Sequence, residues 1–558
     1  MTPAGRGGNT GAMSLPPGPG AANAPIPVSA ARLLQEGQSR MKRGDFAEAA
    51  DLAQVMLRAD PRSADAWVLL CSALIRMGSA DDDRALADAL AAVPVTNPAH
   101  TMLAAERCRV LAKRGRYGEA VELARMLEAH IKLTPRQNDI LSSAYTTAGL
   151  FEDGLRLAEQ ATAFLADDPS AAYNHALALR HLGRIDEATV AFEEIVARNP
   201  AHSLAWFSLA DCQRWTPERN HISAIEAVLA GPGLTAEDGA RLNYALFKEA
   251  HSAGQNDLAW RSLAEGARIA NARAPYNTAE RTAFTEGLIK TFRGGLKAPP
   301  ADGPEPIPIF IIGLPRSGTT LVERIFSAHP DVTDMGETHG FSLALRDAAG
   351  LQRFGEIDFE SLQRMGGVDW ADVGQRYLRS LDYRKPGTRF FTEKLPHNYH
   401  LAGPMRLAFP QARFVHLRRA PMDSLFGAYK ILFGEGSYVW SYRFEDLAAA
   451  YGLYRRITDH WRVELGESFV DLTLENLIAD PETQIRQLLD RTGLAFHEAC
   501  LSPHEAKGGV STASSTQVRQ PINSQGVGAW RRYAEGFEPL RRMLEAGGFV
   551  DASGDPVW

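Results

Sequence analysis

The 558-residue chain is poor in cysteine. Its four cysteines, Cys71, Cys108, Cys212 and Cys500, form no Cys-x-x-Cys pair and have no histidine at metal-ligating spacing. That excludes a disulfide framework and a cysteine-built zinc site, and it predicts reduced, buried thiols in a cytoplasmic protein. Long apolar runs are lacking too. No segment approaches the ~20 residues of a membrane-spanning helix. The Gly/Pro/Ala/Thr-rich stretch from Met1 to about Ala22 has no apolar centre of the kind a secretory signal carries. Positive charge is not in excess: 60 Lys and Arg against 67 Asp and Glu leave a net charge of −7, with a pI near 6.1. This argues against nucleic acid held by overall charge, although a local basic pocket is compatible with it. What remains, 45% hydrophobic and 23% charged, is a globular composition, and the length calls for two or three domains.

Residues 1–28 read as a disordered tail. From about Ser29 the chain is helical and repetitive. Glycines recur at Gly44, Gly78, Gly115, Gly149 and Gly183, at intervals of 34, 37, 34 and 34 residues. Similar text follows them: Asp45-Phe46-Ala47-Glu48-Ala49, Arg116-Tyr117-Gly118-Glu119-Ala120 and Arg184-Ile185-Asp186-Glu187-Ala188. Trp67 and Trp206 each stand six residues after a proline, Pro61 and Pro200. Glycine permits a tight turn, alanine lets two helices approach, and proline ends the second helix. Such units stack into an α-solenoid, because a single pair cannot bury its apolar face. The pattern weakens after Trp206, with Pro217 where a turn glycine is due, but helical text continues. The helical region is therefore placed at 29–292. A proline-rich linker spans 293–305, and 306–558 alternates short apolar strands with helical segments. That alternation predicts an α/β domain with a parallel sheet.

The second half is organised around Pro308-Ile309-Phe310-Ile311-Ile312-Gly313-Leu314-Pro315-Arg316-Ser317-Gly318-Thr319-Thr320. An apolar strand stops at Gly313 and a helical pattern resumes at Thr319. Strand, glycine loop and helix together point several backbone N–H groups at one anion. Two glycines with four residues between them match a P-loop, but Thr319 stands where its lysine belongs, and no clear Walker B acid follows. The cation appears earlier, as Arg316 inside the loop. Pro315, Arg316, Ser317, Gly318, Thr319 and Thr320 are therefore the candidate phosphate cradle. Lys394 follows the strand Phe390-Phe391, which puts a second cation at the carboxyl edge of the sheet.

The repeats resemble the tetratricopeptide repeat, over about 29–215. The loop, with a basic residue before Ser-Gly-Thr-Thr, resembles the 5′-phosphosulfate loop of sulfotransferases, and the likeness extends over about 305–545. The whole chain resembles bacterial tetratricopeptide-repeat sulfotransferases whose catalytic half is similar to protein-tyrosine sulfotransferases. The resemblance implies 3′-phosphoadenosine-5′-phosphosulfate (PAPS) as sulfuryl donor, released as 3′,5′-adenosine bisphosphate, with no metal. It assigns Lys394 to the bridging oxygen of the donor and Glu337, in Gly336-Glu337-Thr338, to the catalytic base; His339, His397 and His416 are nearby alternatives for the base. Arg419, in Arg419-Ala420-Pro421-Met422-Asp423, matches the arginine that grips the 3′-phosphate. Relatives carry a serine where this chain has Gly427: either Ser424 substitutes for it from one turn earlier, or a contact to the 3′-phosphate is lost. The polar stretch Ser511–Pro521 matches a segment folded over the donor, which makes Ser514 or Ser515 and Arg519 candidate contacts, Ser515 being placed with the catalytic set.

Leu474 stands where relatives often have tyrosine, and Ala529 where a basic residue often precedes the tryptophan. The implied activity is sulfuryl transfer to a hydroxyl on a peptide or protein, such as a tyrosine, recruited by the repeats. A small-molecule or glycan acceptor is an open alternative. So is a scaffold whose transferase half has decayed, suggested by Gly427, Leu474 and Ala529. A P-loop ATPase or kinase is opposed by the missing lysine.

Overall fold

A computed structural model describes residues 29–294, 296, 305–351, 357–384, 386–434, 436–506 and 520–558. The N-terminal tail and residues 297–304 of the linker lie outside the described residues. The first half is a succession of antiparallel helix pairs. Ala30–Arg43 and Phe46–Ala59 form the first, Ala64–Met77 and Asp82–Ala92 the second, and Pro98–Lys113 and Tyr117–His130 the third. Pro135–Thr147 with Phe151–Thr162 and Pro169–His181 with Ile185–Arg198 follow. The leading helices start at capping side chains, Ser63, Asn97, Thr134 and Asp168, each accepting from a backbone N–H of the first turn.

The periodic glycines sit in left-handed conformations at the turns, with φ between 63° and 86°. Ala49, Ala120 and Ala188, each five residues beyond such a glycine, are 0–1% exposed and let the helices close on one another. The tryptophan spacing has a physical reason as well. Trp67 Nε1 donates to Pro61 O at 2.9 Å and Trp206 Nε1 to Pro200 O at 2.8 Å, tying a leading helix to the end of the preceding pair.

At Pro217 the repeat is broken. The helix carrying Trp206 spans only Ser203–Leu209 and its partner resumes at Ile222–Leu229. The pairing then recovers: Ala236–Ser252 and Asn256–Arg273 meet at Gly254 (φ +83°), a turn glycine the sequence reading did not include, and Thr278–Thr291 closes the helical half.

The second half holds a five-stranded parallel sheet: β1 (Ile307–Gly313), β2 (Val332–Asp334), β3 (Phe390–Lys394), β4 (Arg413–Arg418) and β5 (Phe469–Thr473). The order is β2-β3-β1-β4-β5. The chain thus crosses from β3 over β1 to β4, and the carboxyl ends on either side of β1 form the switch point at which such sheets bind ligands. The three-residue β2 was not anticipated. Every residue of β1 is buried. Ile309 and Ile311 face a cluster with Val322, Ile325 and Leu488, while Phe310 and Ile312 join a cluster on the opposite face.

That opposite cluster does not stop at the linker. It runs from Leu155 and Phe192 in the repeats through Tyr244 to Phe537 and Val550. Tyr244 donates its hydroxyl to Tyr429 O at 3.0 Å, and Trp260 packs edge-on against Phe537. Gly536 makes this contact possible, because a Cβ there would lie 2.3 Å from the Trp260 ring. Gly536→Ala is expected to destabilise the chain by about 1–3 kcal/mol through overpacking, read as a lower thermal midpoint. An unchanged midpoint would mean that the two surfaces are not in contact.

Candidate active site

The loop after β1 is shaped by close approaches. A Cβ at Gly313 would meet Leu417 O at 2.6 Å, and one at Gly318 (φ +103°) would meet Leu474 at 2.9 Å. Arg316 itself is left-handed, with φ 66°, a conformation that costs a non-glycine residue about 1–3 kcal/mol when the surroundings impose it. The surroundings here are visible. Arg419 Nη1 donates to Arg316 O at 2.7 Å, and the Arg316 side chain occupies the space that a Cβ at Gly427 would need, 2.8 Å away. Gly427, read from sequence as a lost contact, is therefore where the loop arginine fits.

Arg316, Gly318, Thr320 and Arg419 line a cavity of about 260 Å³. The helix Thr319–Ser327 begins there with no side-chain cap, an end that favours an anion. Two cations not singled out in the sequence join them, Lys430 and Arg214. Burial, with Arg419 nearby, holds Arg316 down to about 10. Burial, with Arg316 and Arg419, pushes Lys430 down to about 7. His251, also on the wall, falls to about 4 through burial and the charges of Arg532, Lys430 and Arg214. Among the described residues the one lining carboxylate, Asp423, accepts from the backbone of Gly528 at 2.7 Å and Trp530 at 3.4 Å. A multiply charged anion entering the cavity would relieve the repulsion among the cations. Leu321, Phe426, Leu474 and Ile478 give it an apolar side.

The other candidates fall elsewhere. Ser317 and Ser424 border a narrow crevice behind the loop, together with Arg418 and Arg419. Ser317 Oγ is buried there with no hydrogen-bond partner among the described residues. Pro315 and Thr319 are buried in the loop and the helix start. Arg419 donates to Gly526 O as well as to Arg316 O and leaves Nε without a partner among the described residues, so it braces the loop and reaches the cavity at once. Ser514, Ser515 and Arg519 lie outside the described residues.

Lys394 and Glu337 do not line this cavity. Lys394 is paired with Ile311 in the sheet register, short of the loop, and its Nζ is fully buried. It contacts the Glu337 carboxylate and lies 3.6 Å from Glu323 Oε2. Burial disfavours its charge, but Glu323 and Glu337 together raise its pKa. Glu323, on the loop helix, is pushed well above the usual carboxylate range by burial. Glu337 keeps about a third of its side chain exposed.

On the other side of the strand, as alternation requires, Glu393 accepts from Thr338 Oγ1 at 2.7 Å, from Asn398 Nδ2 at 2.6 Å and from the Tyr377 hydroxyl. Of the histidines, His416 is sealed between Asp471 and Tyr454 at 2.7 and 2.6 Å. His397 contacts the Tyr438 hydroxyl at 3.0 Å, and the rings of His339 and His397 are 6.1 Å apart. Among the described residues no group of three or more His, Cys, Asp or Glu is placed to hold a metal.

The missed Lys430 had a signal. Asp423, Phe426, Gly427 and Lys430 follow the i, i+3, i+4, i+7 spacing of one helix face, and all four line the cavity.

Fold and site together define a parallel α/β domain with a cation-rich pocket at the glycine loop of its central strand. Residues 308–498 match the model of the sulfotransferase family, so the C-terminal half carries a sulfotransferase-family domain. An uncharacterised protein of Aquifex aeolicus is 27% identical over 380 residues, covering 66% of this chain and 49% of that protein. Protein-tyrosine sulfotransferase 1 of Danio rerio is 26% identical over 246 residues, covering 40% of this chain and 65% of that protein. The chain thus spans about half the length of the first and under two thirds of the second. A sulfotransferase domain from the Synechococcus PCC 7002 olefin synthase aligns at 20% identity with a TM-score of 0.30, over 42% of this chain and 90% of that one.

Burial raises the Glu393 pKa to about 7 against the lowering effect of its three donors. Between the unfolded value near 4.5 and about 7 the folded state therefore holds a proton the unfolded state has lost, and stability falls as pH rises through that window. Glu393→Gln should flatten the slope of the thermal midpoint between pH 5 and 7; an unaltered slope would remove Glu393 as its source.

Proposed function

We propose that the chain transfers a sulfuryl group from PAPS to a hydroxyl of a peptide or protein engaged by the helical repeats. The observation that carries this is the set of cations, Arg316, Arg419, Lys430 and Arg214, around one cavity at the glycine loop of a sulfotransferase-family domain. A donor with two phosphate groups and a purine suits a pocket that is cationic on one side and apolar on the other. Arg419 and Lys430 would hold phosphate oxygens, with the loop amides and Arg316 at the phosphosulfate end.

In the transfer, the acceptor oxygen forms a bond to sulfur as the bond from sulfur to the 5′-phosphate oxygen breaks. The proton of the acceptor hydroxyl passes to Glu337, and the charge left on the phosphate is neutralised by Arg316 and Lys394. The contact with Lys394 holds the Glu337 carboxylate in place at the end of the strand. The likeness to a protein-tyrosine sulfotransferase supports a tyrosine acceptor.

Turnover of labelled PAPS with tyrosine peptides, and with sugars and small phenols as competing classes, tests the reading. Glu337→Ala is expected to lower kcat by about 10²–10⁴-fold with little change in affinity for the bisphosphate product. Retained turnover would remove Glu337 as the base.

Calorimetry tests the pocket separately. At pH 8 Lys430, depressed to about 7, is mostly neutral, and a bound polyanion raises its proton affinity. Binding of 3′,5′-adenosine bisphosphate should therefore take up a fraction of a proton, seen as a dependence of the heat on buffer ionisation enthalpy, and Lys430→Met should abolish it. No binding at all would favour a scaffold in place of an enzyme.

A further inference from the structure

The turn that carries Glu337 is held from two sides. On the sheet side Met335 N donates to Thr392 O at 2.9 Å and Lys394 N to Gly336 O at 3.0 Å. On the outer side stands Arg384. Its Nη1 donates to Met335 O at 2.7 Å, and its Nη2 donates to Gly149 O, also at 2.7 Å. Gly149 is one of the periodic turn glycines of the helical repeats (φ +77°). One planar guanidinium thus spans two backbones, a repeat turn and the residue two before Glu337, in a fork a lysine cannot reproduce.

The neighbouring contacts reinforce the join. Tyr383 donates its hydroxyl to Ala148 O at 3.3 Å. The preceding repeat turn, at Gly115, leaves only 3.1 Å between its own missing Cβ and His339 Cβ, and Gly118 lies equally close to Ser380 O. Two successive repeat turns therefore bracket the segment from Met335 to His339.

We propose that Arg384 is a positioning residue through which the helical repeats set the orientation of Glu337, so that the array is part of the catalytic apparatus as well as a recruiting surface. This rests on the role given to Glu337 above. Displacing a base by about 1 Å can cost as much as 10²-fold in rate, and among the described residues the outer side of this turn is tied through Arg384 to the repeats.

The test uses the full chain. Arg384→Ala removes the fork. Gly149→Ala perturbs it from the repeat side, since the added Cβ would lie 2.7 Å from Arg384 Nη2. Gly78→Ala is the control: it imposes the same left-handed strain at an equivalent turn with nothing within 4 Å. Two readouts are taken, hydrogen exchange of the segment 333–338 and the kinetics of labelled PAPS with a tyrosine peptide.

Arg384→Ala and Gly149→Ala should speed exchange in 333–338 and lower kcat by about tenfold or more, with the KM for PAPS within twofold of wild type. Arg384→Lys should recover part of the loss, and Gly78→Ala should match wild type in both. Wild-type exchange and kcat in Arg384→Ala would overturn the proposal, as would equal effects of Gly149→Ala and Gly78→Ala. If the wild type transfers no sulfuryl group to any acceptor, the functional reading fails, while the exchange measurements still decide whether the repeats hold this turn.

Discussion

Like charges held close together are the condition on which the C-terminal half depends. Arg316, Arg419 and Lys430 approach one another around a small cavity; each loses proton affinity through burial, and Arg316 and Lys430 lose more through their cationic neighbours. Keeping them there takes several separate devices. The chain turns left-handed at Arg316, the helix Pro421–Tyr429 gives up a side chain at Gly427, and Arg419 spends two of its donors on backbone carbonyls. An arrangement with this much unfavourable electrostatics persists where function is served by it.

The opposite side of β1 has the reverse character. Lys394 lies between Glu323 and Glu337, and Glu393 is buried behind it. A sheet whose order changes direction at its central strand separates the two environments by the width of one strand, placing a cation-rich pocket beside an acid-rich one. On the reading proposed above, the first holds the donor's phosphates, and the second takes the acceptor's proton and brings Lys394 to the leaving phosphate.

Much of this was legible in the residues. The 34-residue rhythm of turn glycines gave the solenoid, because only glycine tolerates the turn and its periodicity survives any choice of surface residues. The strand-loop-helix signature gave the central strand and its loop. What sequence could not supply was lateral placement. Arg316, Lys394 and Arg419 all stand at or near strand ends, and nothing in their spacing tells that Lys394 lies on the β3 side of β1, outside the cavity that the other two line. Gly427 was read by what it lacks, a hydroxyl, whereas its role is steric and depends on a residue 111 positions earlier. Gly254 was passed over because Pro217 broke the rhythm before it. Arg384 carries no motif at all, since its partners are carbonyls, which any residue supplies.

The apolar cluster that crosses the linker bears on how the chain comes apart. The first two helix pairs bury small, separate clusters, and the third and fourth share one against which Tyr383 of the α/β half packs, whereas Leu155 onwards joins one with the sheet and the C-terminal helix. Heat or denaturant would then peel the first two pairs from the solenoid, until it reached the turns at Gly115 and Gly149 that pack on the α/β half, beyond which the remaining helices and that half would melt together. The linker marks a change of architecture but no seam in cooperativity. A fragment cut there would leave Phe426, Tyr429 and Phe537 facing water, with nothing to shield them from self-association.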